Sequence, residues 1–167
     1  INGVLVDQSI AQDDNLSYAS NSGSAIAKTA AINKVSNLTG VVAKVNQTVV
    51  YGSAQATTAA ATSGTISING VATSNLAFGA SASTNVVRGM VVDAINAISA
   101  QTGVKAVDGG DANHGVVLIA EDGRNITVSH SSSGILAVTG VRTESTTTLA
   151  TATTYVGTYS LRSEERR

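Results

Sequence analysis

Ala94-Ile95-Asn96-Ala97-Ile98-Ser99-Ala100-Gln101-Thr102-Gly103-Val104-Lys105-Ala106 decides the fold, because the chain contains it twice. Residues 31–43 read Ala31-Ile32-Asn33-Lys34-Val35-Ser36-Asn37-Leu38-Thr39-Gly40-Val41-Val42-Ala43, and eight of the thirteen positions are identical at a constant offset of 63. A second repeat precedes each copy: Ile1-Asn2-Gly3-Val4 returns as Ile68-Asn69-Gly70-Val71, at an offset of 67. Self-similarity in a fixed order marks a duplicated structural unit. Each unit reads as strand, loop, helix, strand.

Hydrophobic spacing places the helices. In the second unit Val87, Val91, Ala94, Ile95 and Ile98 fall on one helical face, with Ser83 or Thr84 as N-cap. In the first unit Ala27, Ala31, Ile32, Val35 and Leu38 make the stripe and Ser24 caps it. Both helices stop at Thr-Gly-Val. Gly40 and Gly103 suit the left-handed residue that ends a helix, and Val41 and Val104 follow, placed to pack back on Val35 and Ile98. Asn33 and Asn96 sit inside the helices at the same place. Asn is a poor helix-interior residue, so its recurrence predicts a side-chain hydrogen bond to a neighbouring backbone segment.

Strands are expected around the helices. Residues 1–4 read as part of a first strand, and residues 41–50 continue the first unit. Thr65-Ile66-Ser67-Ile68 before Asn69-Gly70 signals a hairpin. Residues 104–107, the polar turn Asp108-Gly109-Gly110-Asp111, and Val116-Val117-Leu118-Ile119-Ala120 complete the second unit. Glu121-Asp122-Gly123-Arg124 then predicts a hairpin turn into Asn125-Ile126-Thr127-Val128. Residues 134–141 are a short apolar segment, residues 143–154 an extended Thr-rich surface segment, and residues 155–161 a last strand. The organisation is residues 1–54 as a first unit, 55–64 as a connection, 65–142 as a second unit, and 143–167 as the Thr-rich segment with a return strand. The fold class is α+β: two related strand-helix-strand units, each a helix packed on a small, mostly antiparallel sheet.

Composition narrows the function. Charged residues are 13% of the chain, and Ser and Thr supply 40 of 167 residues, so the surface is polar through hydroxyls. The net charge is −1 and the one tight basic cluster, Arg162, Arg166 and Arg167, is interrupted by Glu164 and Glu165, which argues against nucleic-acid binding. No stretch is long and apolar enough for a membrane span. The chain has no Cys, hence no thiolate metal site or cysteine nucleophile. It begins with Ile1 and not Met, and reads as an internal segment of a longer protein.

No catalytic constellation emerges. His114 and His130 lack further ligands at metal spacing and read as surface or turn residues. Residues 108–113 lack the spaced carboxylates of a calcium loop and read as a turn. Glu121 and Asp122 beside Arg124 read as a charged turn with a local ion pair. Phosphate-loop, dinucleotide and nucleophile-elbow motifs are absent. No cofactor or metal is expected, and no enzyme. Asn15, Asn37, Asn46 and Asn125 fit the N-glycosylation pattern but are expected to be unused in a bacterial source. Residues 143–154 are the better candidates for O-linked sugars.

The Ala-Ile-Asn…Thr-Gly-Val-x-Ala pattern resembles the "IN" motif of bacterial flagellins. The copy at residues 94–106 is followed by the run from Gly115 to Ile126, which looks like the hairpin seen in many flagellins, with its ending Asp122-Gly123-Arg124-Asn125-Ile126. Residues 155–161 are similar to the segment leading back from a flagellin outer domain. The resemblance covers roughly residues 24–50 and 65–161. It implies a structural, non-catalytic outer domain, exposed on an extracellular flagellar filament and exported without a cleaved signal. Its motif residues are Ile32, Asn33, Thr39, Gly40, Val41, Ile95, Asn96, Thr102, Gly103, Val104, Asp122, Gly123, Arg124 and Asn125. The implied partners are other copies of the same subunit, joined through terminal helices that are not among these residues; the segment by itself is expected to be monomeric. The alternatives are a domain of a filament cap or hook–filament junction protein, or a flagellin-like surface adhesin that binds polysaccharide. Against the last, the aromatics Tyr18, Tyr51, Phe78, Tyr155 and Tyr159 are scattered in sequence.

Overall fold

The computed structural model of the protein describes residues 1–58, 60–143 and 152–163. The first unit contains α1 (Ala25–Asn33), α2 (Ser36–Thr39), β1 (Val41–Val45) and β2 (Thr48–Val50). Then come β3 (Thr62–Gly64), β4 (Ile66–Ile68), β5 (Val71–Ala72) and β6 (Leu76–Phe78). The second helix pair is α3 (Thr84–Ala97) and α4 (Ser99–Thr102), followed by β7 (Lys105–Asp108), β8 (Val116–Ala120) and β9 (Ile126–His130). The described chain closes with α5 (Ser133–Thr139), β10 (Thr153–Tyr155) and β11 (Tyr159–Ser163). This is an α+β architecture with helices packed against several small antiparallel sheets. The strand orders are β1-β11, β10-β9-β4-β5, β2-β8-β7 and β3-β6.

The core gathers around the second unit. Val87, Val91 and Ile95 of α3 meet Ile66 and Ile68 of β4, Leu118 of β8, Ile126 and Val128 of β9, and Ile135 of α5. All of these are essentially buried, and each contributes about 1.5–3 kcal/mol by leaving water. Branched aliphatics fill this volume and Phe78 is its one fully aromatic hydrocarbon ring.

Several sequence expectations need correction. Residues 1–4 are not a strand. They form a tight turn closed by Val4 N–H to Ile1 O at 2.8 Å, with Asn2 at φ 48° and Gly3 at φ 78°. Asn69 and Gly70, at φ 50° and 81°, repeat that geometry at the tip of the expected β4–β5 hairpin. Residues 41–50 form two strands, because the chain leaves β11 after Asn46 and enters the second unit's sheet as β2. The connection over residues 55–64 contains β3, which pairs with β6. Residues 155–161 are divided between two sheets, with the break at residues 156–158. The apolar segment at 134–141 is mostly helix α5, capped by Ser132 Oγ, which accepts from Ile135 N–H at 3.3 Å. Of the Thr-rich segment, residues 144–151 lie outside the described residues, as do 164–167.

The expected hairpin at residues 121–124 does not form. β8 pairs with β2 and β7, whereas β9 pairs with β4 and β10, so this link carries the chain from one sheet to another. Local turn chemistry is present, with Gly123 N–H bonded to Ala120 O at 3.2 Å, but side chains from distant segments claim the following residues.

Candidate functional site

The helix stripes are interrupted in the same way in both units. α1 ends at Asn33, and Val35, at φ −112° and ψ 13°, breaks the helix before α2. Ile98, at φ −104° and ψ 8°, does the same between α3 and α4. This phase break explains why Leu38, expected in the apolar stripe, is 74% exposed. Ala27, Ala31 and Ile32 remain buried, as do Val87, Val91 and Ile95. Ser24 caps α1 through Ala27 N–H at 3.1 Å; Ser83 occupies the corresponding position on α3 without a side-chain bond.

The break frees each helical Asn to clamp the strand that follows. Asn33 Nδ2 donates to Ala43 O at 3.0 Å and its Oδ1 accepts from Ala43 N–H at 2.8 Å. Asn96 makes the identical pair with Ala106, at 3.0 and 2.8 Å. One side-chain amide thus imitates a neighbouring strand and satisfies both backbone groups of a buried residue. The identical serines also have matched roles: Ser36 Oγ donates to Asn33 O at 2.8 Å, and Ser99 Oγ to Asn96 O at 2.7 Å.

The helix stop is equally duplicated. Thr39 Oγ1 accepts from Val41 N–H, and Thr102 Oγ1 from Val104 N–H, each at 3.2 Å. Gly40 and Gly103 between them stand at φ 65° and 70°, the left-handed conformation that a Cβ disfavours. The carbonyl of each Thr is taken by the Asn of the preceding turn. Asn2 Nδ2 donates to Thr39 O at 2.8 Å, and Asn69 Nδ2 to Thr102 O at 2.9 Å. Of the valines that follow, Val104 is fully buried and Val41 only partly. Thr139-Gly140-Val141 ends α5 in the same manner, with Gly140 at φ 70°. The triplet was visible in the sequence and is the signal by which this third helix could have been found.

Asp122, Gly123, Arg124 and Asn125 form the second half of the site. Arg124 Nη2 lies 2.6 Å from Asp122 Oδ2, and Arg124 Nη1 donates to Thr102 O at 3.1 Å, so the guanidinium covers the end of α4. It lies directly over Gly103, where a Cβ would strike it. The local ion pair is present, and it also fixes a helix terminus. Burial alone would raise the Asp122 pKa, but the Arg124 hydrogen bonds and the Arg124 backbone amide outweigh it and hold the carboxyl below its ordinary value. Asn125 is fully buried. Its N–H donates to Ser17 Oγ at 2.9 Å and its Nδ2 to Ala19 O at 2.9 Å, while its Oδ1 accepts from Gly157 N–H at 3.4 Å. Its side chain is therefore closed to a sugar in the folded protein. Asn125→Ala is expected to loosen residues 14–20: chymotrypsin should cut after Tyr18 about tenfold faster than in the parent chain.

Two polar centres escaped the sequence reading. Arg88 of α3 is 4% exposed and donates through Nε to Asp108 Oδ1 at 2.6 Å, through Nη1 to Gln55 Oε1 at 3.0 Å, and through Nη2 to Gly110 O at 3.4 Å. The Arg88 hydrogen bond holds Asp108 below the usual carboxylate range. Gln55 passes the link on to Val138 O at 2.8 Å. The partners of Arg88 are distant in sequence, and no local pattern announces them.

His130 is the second centre, and corrects the expectation of a surface or turn residue. It lies on β9, half-buried, with Nε2 3.3 Å from Thr139 Oγ1. Burial lowers its pKa to about 4. An unfolded histidine titrates near pH 6.5. The unfolded chain therefore binds more protons between these values, and stability is complete above about pH 6.5 and declines toward pH 4. Urea unfolding should show a loss of ~2 kcal/mol from pH 7 to pH 5, and His130→Gln should remove most of that difference. His114 is a turn residue as expected, exposed, with Nδ1 2.9 Å from Asp111 Oδ2.

An open surface concavity of about 350 Å³ is lined by Gly103, Lys105, Ile119, Glu121 and Asp122, but Lys105 pairs with Glu121 at 2.9 Å and Asp122 with Arg124. Among the described residues no group of three His, Cys, Asp or Glu side chains could hold a metal ion, and no helix is long and apolar enough to cross a membrane. The side chains that recur between the units are engaged with backbone, so the arrangement orders strands and helix ends. A scan against protein-family models and a search of curated proteins each find no match for this chain.

Proposed function

We propose that the chain is the outer domain of a flagellin, a non-catalytic structural element displayed on the surface of an extracellular filament. The observation that carries the reading is the duplicated clamp, in which Asn33 and Asn96 grip Ala43 and Ala106 with the same pair of hydrogen bonds. It gives a structural purpose to the residues on which the flagellin resemblance rests. Asp122, Arg124 and Asn125 add to it, since each is engaged in holding the scaffold together. In this reading the partners are further copies of the subunit, and the domain has no cofactor, nucleic acid or membrane to bind.

Antibodies raised against residues 1–167 and applied to the encoding bacterium for immunogold microscopy test the proposal. Label along the whole length of flagellar filaments is the expected result. Label confined to filament tips or to hook junctions would assign the domain to a cap or junction protein. Label on cells without filaments would assign it to an adhesin.

A further inference from the structure

The tetrad Ile-Asn-Gly-Val stands at residues 1–4 and again at 68–71, and both copies turn alike: Asn2 and Asn69 lie at φ 48° and 50°, Gly3 and Gly70 at φ 78° and 81°. Local sequence and backbone are matched, so the surroundings set the two asparagines apart. Asn69 is pinned at three atoms. Its backbone N–H donates to Thr127 O at 2.8 Å, its Oδ1 accepts from Thr127 N–H at 2.8 Å, and its Nδ2 donates to Thr102 O at 2.9 Å. The Tyr18 ring lies against Gly70, where a Cβ would strike it. Asn2 is exposed, and among the described residues its side chain has one partner, Thr39 O, which accepts from Nδ2 at 2.8 Å. Apart from its chain neighbours, nothing lies within 4 Å of where a Cβ on Gly3 would stand.

An asparagine followed by glycine carries its own nucleophile. The glycine backbone nitrogen, once a solvent base has taken its proton, attacks the asparagine Cγ and closes a cyclic succinimide. The Cγ–Nδ2 bond breaks, and Nδ2 leaves as ammonia, taking a proton back from solvent. Water then adds to one of the ring carbonyls and opens the ring to aspartate or isoaspartate. No other reactant is needed, and glycine has no Cβ to crowd the attacking nitrogen. Asparagine is a thermolabile residue in general. Ring closure requires the side chain to swing off its partners and onto the following nitrogen. At Asn69 that movement strands Thr127 N–H within β9 and releases Thr102 O. At Asn2 it breaks one bond at the surface.

We propose that Asn2 is a self-modification site, converted to aspartate or isoaspartate, while the fold protects the identical tetrad at Asn69. The product carries a carboxylate in place of the amide, so Thr39 O loses its donor and the Thr39-Gly40 helix stop of the first unit loosens. In the second unit Thr102 O keeps Asn69 Nδ2 and also Arg124 Nη1, at 3.1 Å. The modification acts on one unit and spares the other, and it is independent of whether the chain belongs to a filament.

The matched tetrads supply the test. The whole chain is aged in mildly alkaline buffer and digested, and mass spectrometry follows the amide-to-acid mass gain, with fragmentation locating the site. Asn2 should convert at least about tenfold faster than Asn69, which must give up a further hydrogen bond and strand a backbone N–H in a sheet. In urea the folded contacts are lost, and the two rates should agree within about twofold. Asn2→Gln, whose longer side chain closes a ring poorly, should abolish conversion at that position. The Gly40 amide should exchange faster in the aged chain than in the fresh one. Equal conversion in the folded chain, or a preference for Asn2 that persists in urea, overturns the site. Unchanged exchange at Gly40 after complete conversion of Asn2 overturns its effect on the helix stop.

Discussion

Asn96→Ala is expected to destabilise the protein by about 3 kcal/mol and to lower its melting temperature by about 10 °C. The substitution removes two hydrogen bonds and leaves the N–H and C=O of Ala106, a residue 4% exposed, without partners. Each stranded backbone group costs about 1–3 kcal/mol. Asn96→Asp separates this mechanism from simple loss of packing. It keeps the acceptor for Ala106 N–H but puts a carboxylate oxygen against Ala106 O, so it should destabilise at least as much as alanine at pH 7. Asn33→Ala removes the same two bonds, but the first unit lies outside the main core, and about half the effect is expected there. Calorimetry on the three variants checks the order.

Gly103→Ala carries the second large effect, and Gly40→Ala is its internal control. Both glycines are left-handed, and an alanine at either costs about 1–2 kcal/mol in backbone strain. At Gly40 a Cβ would meet nothing within 4 Å, so the strain is the whole cost. At Gly103 the Cβ would collide with the Arg124 guanidinium, which must then release Thr102 O and reorient Asp122. The expected cost is about 2–3 kcal/mol, since the guanidinium can swing aside and Thr102 O keeps its bond from Asn69 Nδ2. In an Arg124→Ala background the Gly103→Ala penalty should fall to that of Gly40→Ala, a coupling that a double-mutant cycle measures directly.

What was legible in the sequence was whatever depends on neighbours within about one helical repeat. The stripe of Val87, Val91 and Ile95, the stops at Gly40 and Gly103, and the Asn69-Gly70 hairpin follow from local spacing and backbone preference. The role of Asn33 and Asn96 was legible for a different reason, because a residue unsuited to a helix interior recurred there and required a partner. Failures occurred where a distant segment overrode a local signal. Asp122-Gly123 has the chemistry of a hairpin turn, yet Arg124 reaches back to Thr102 and Asn125 is held by Ser17, Ala19 and Gly157. The chain therefore leaves one sheet for another. Residues 155–161 alternate like one strand, but Gly157 lies against Gly123 O and Thr48 Oγ1, and the two halves join different sheets. Arg88 was unreadable because Gln55 and Asp108 are brought to it by the fold alone.

The duplicated clamp is the feature on which the structural reading rests, and scalar couplings across hydrogen bonds detect it without perturbing the chain. In a uniformly ¹⁵N- and ¹³C-labelled sample, the amide nitrogen of Ala43 should couple to the side-chain carbonyl of Asn33. The amide nitrogen of Ala106 should couple likewise to Asn96, with both amides protected from exchange. Free exchange at the two alanines, or couplings at only one of them, would contradict a scaffold built twice on the same plan.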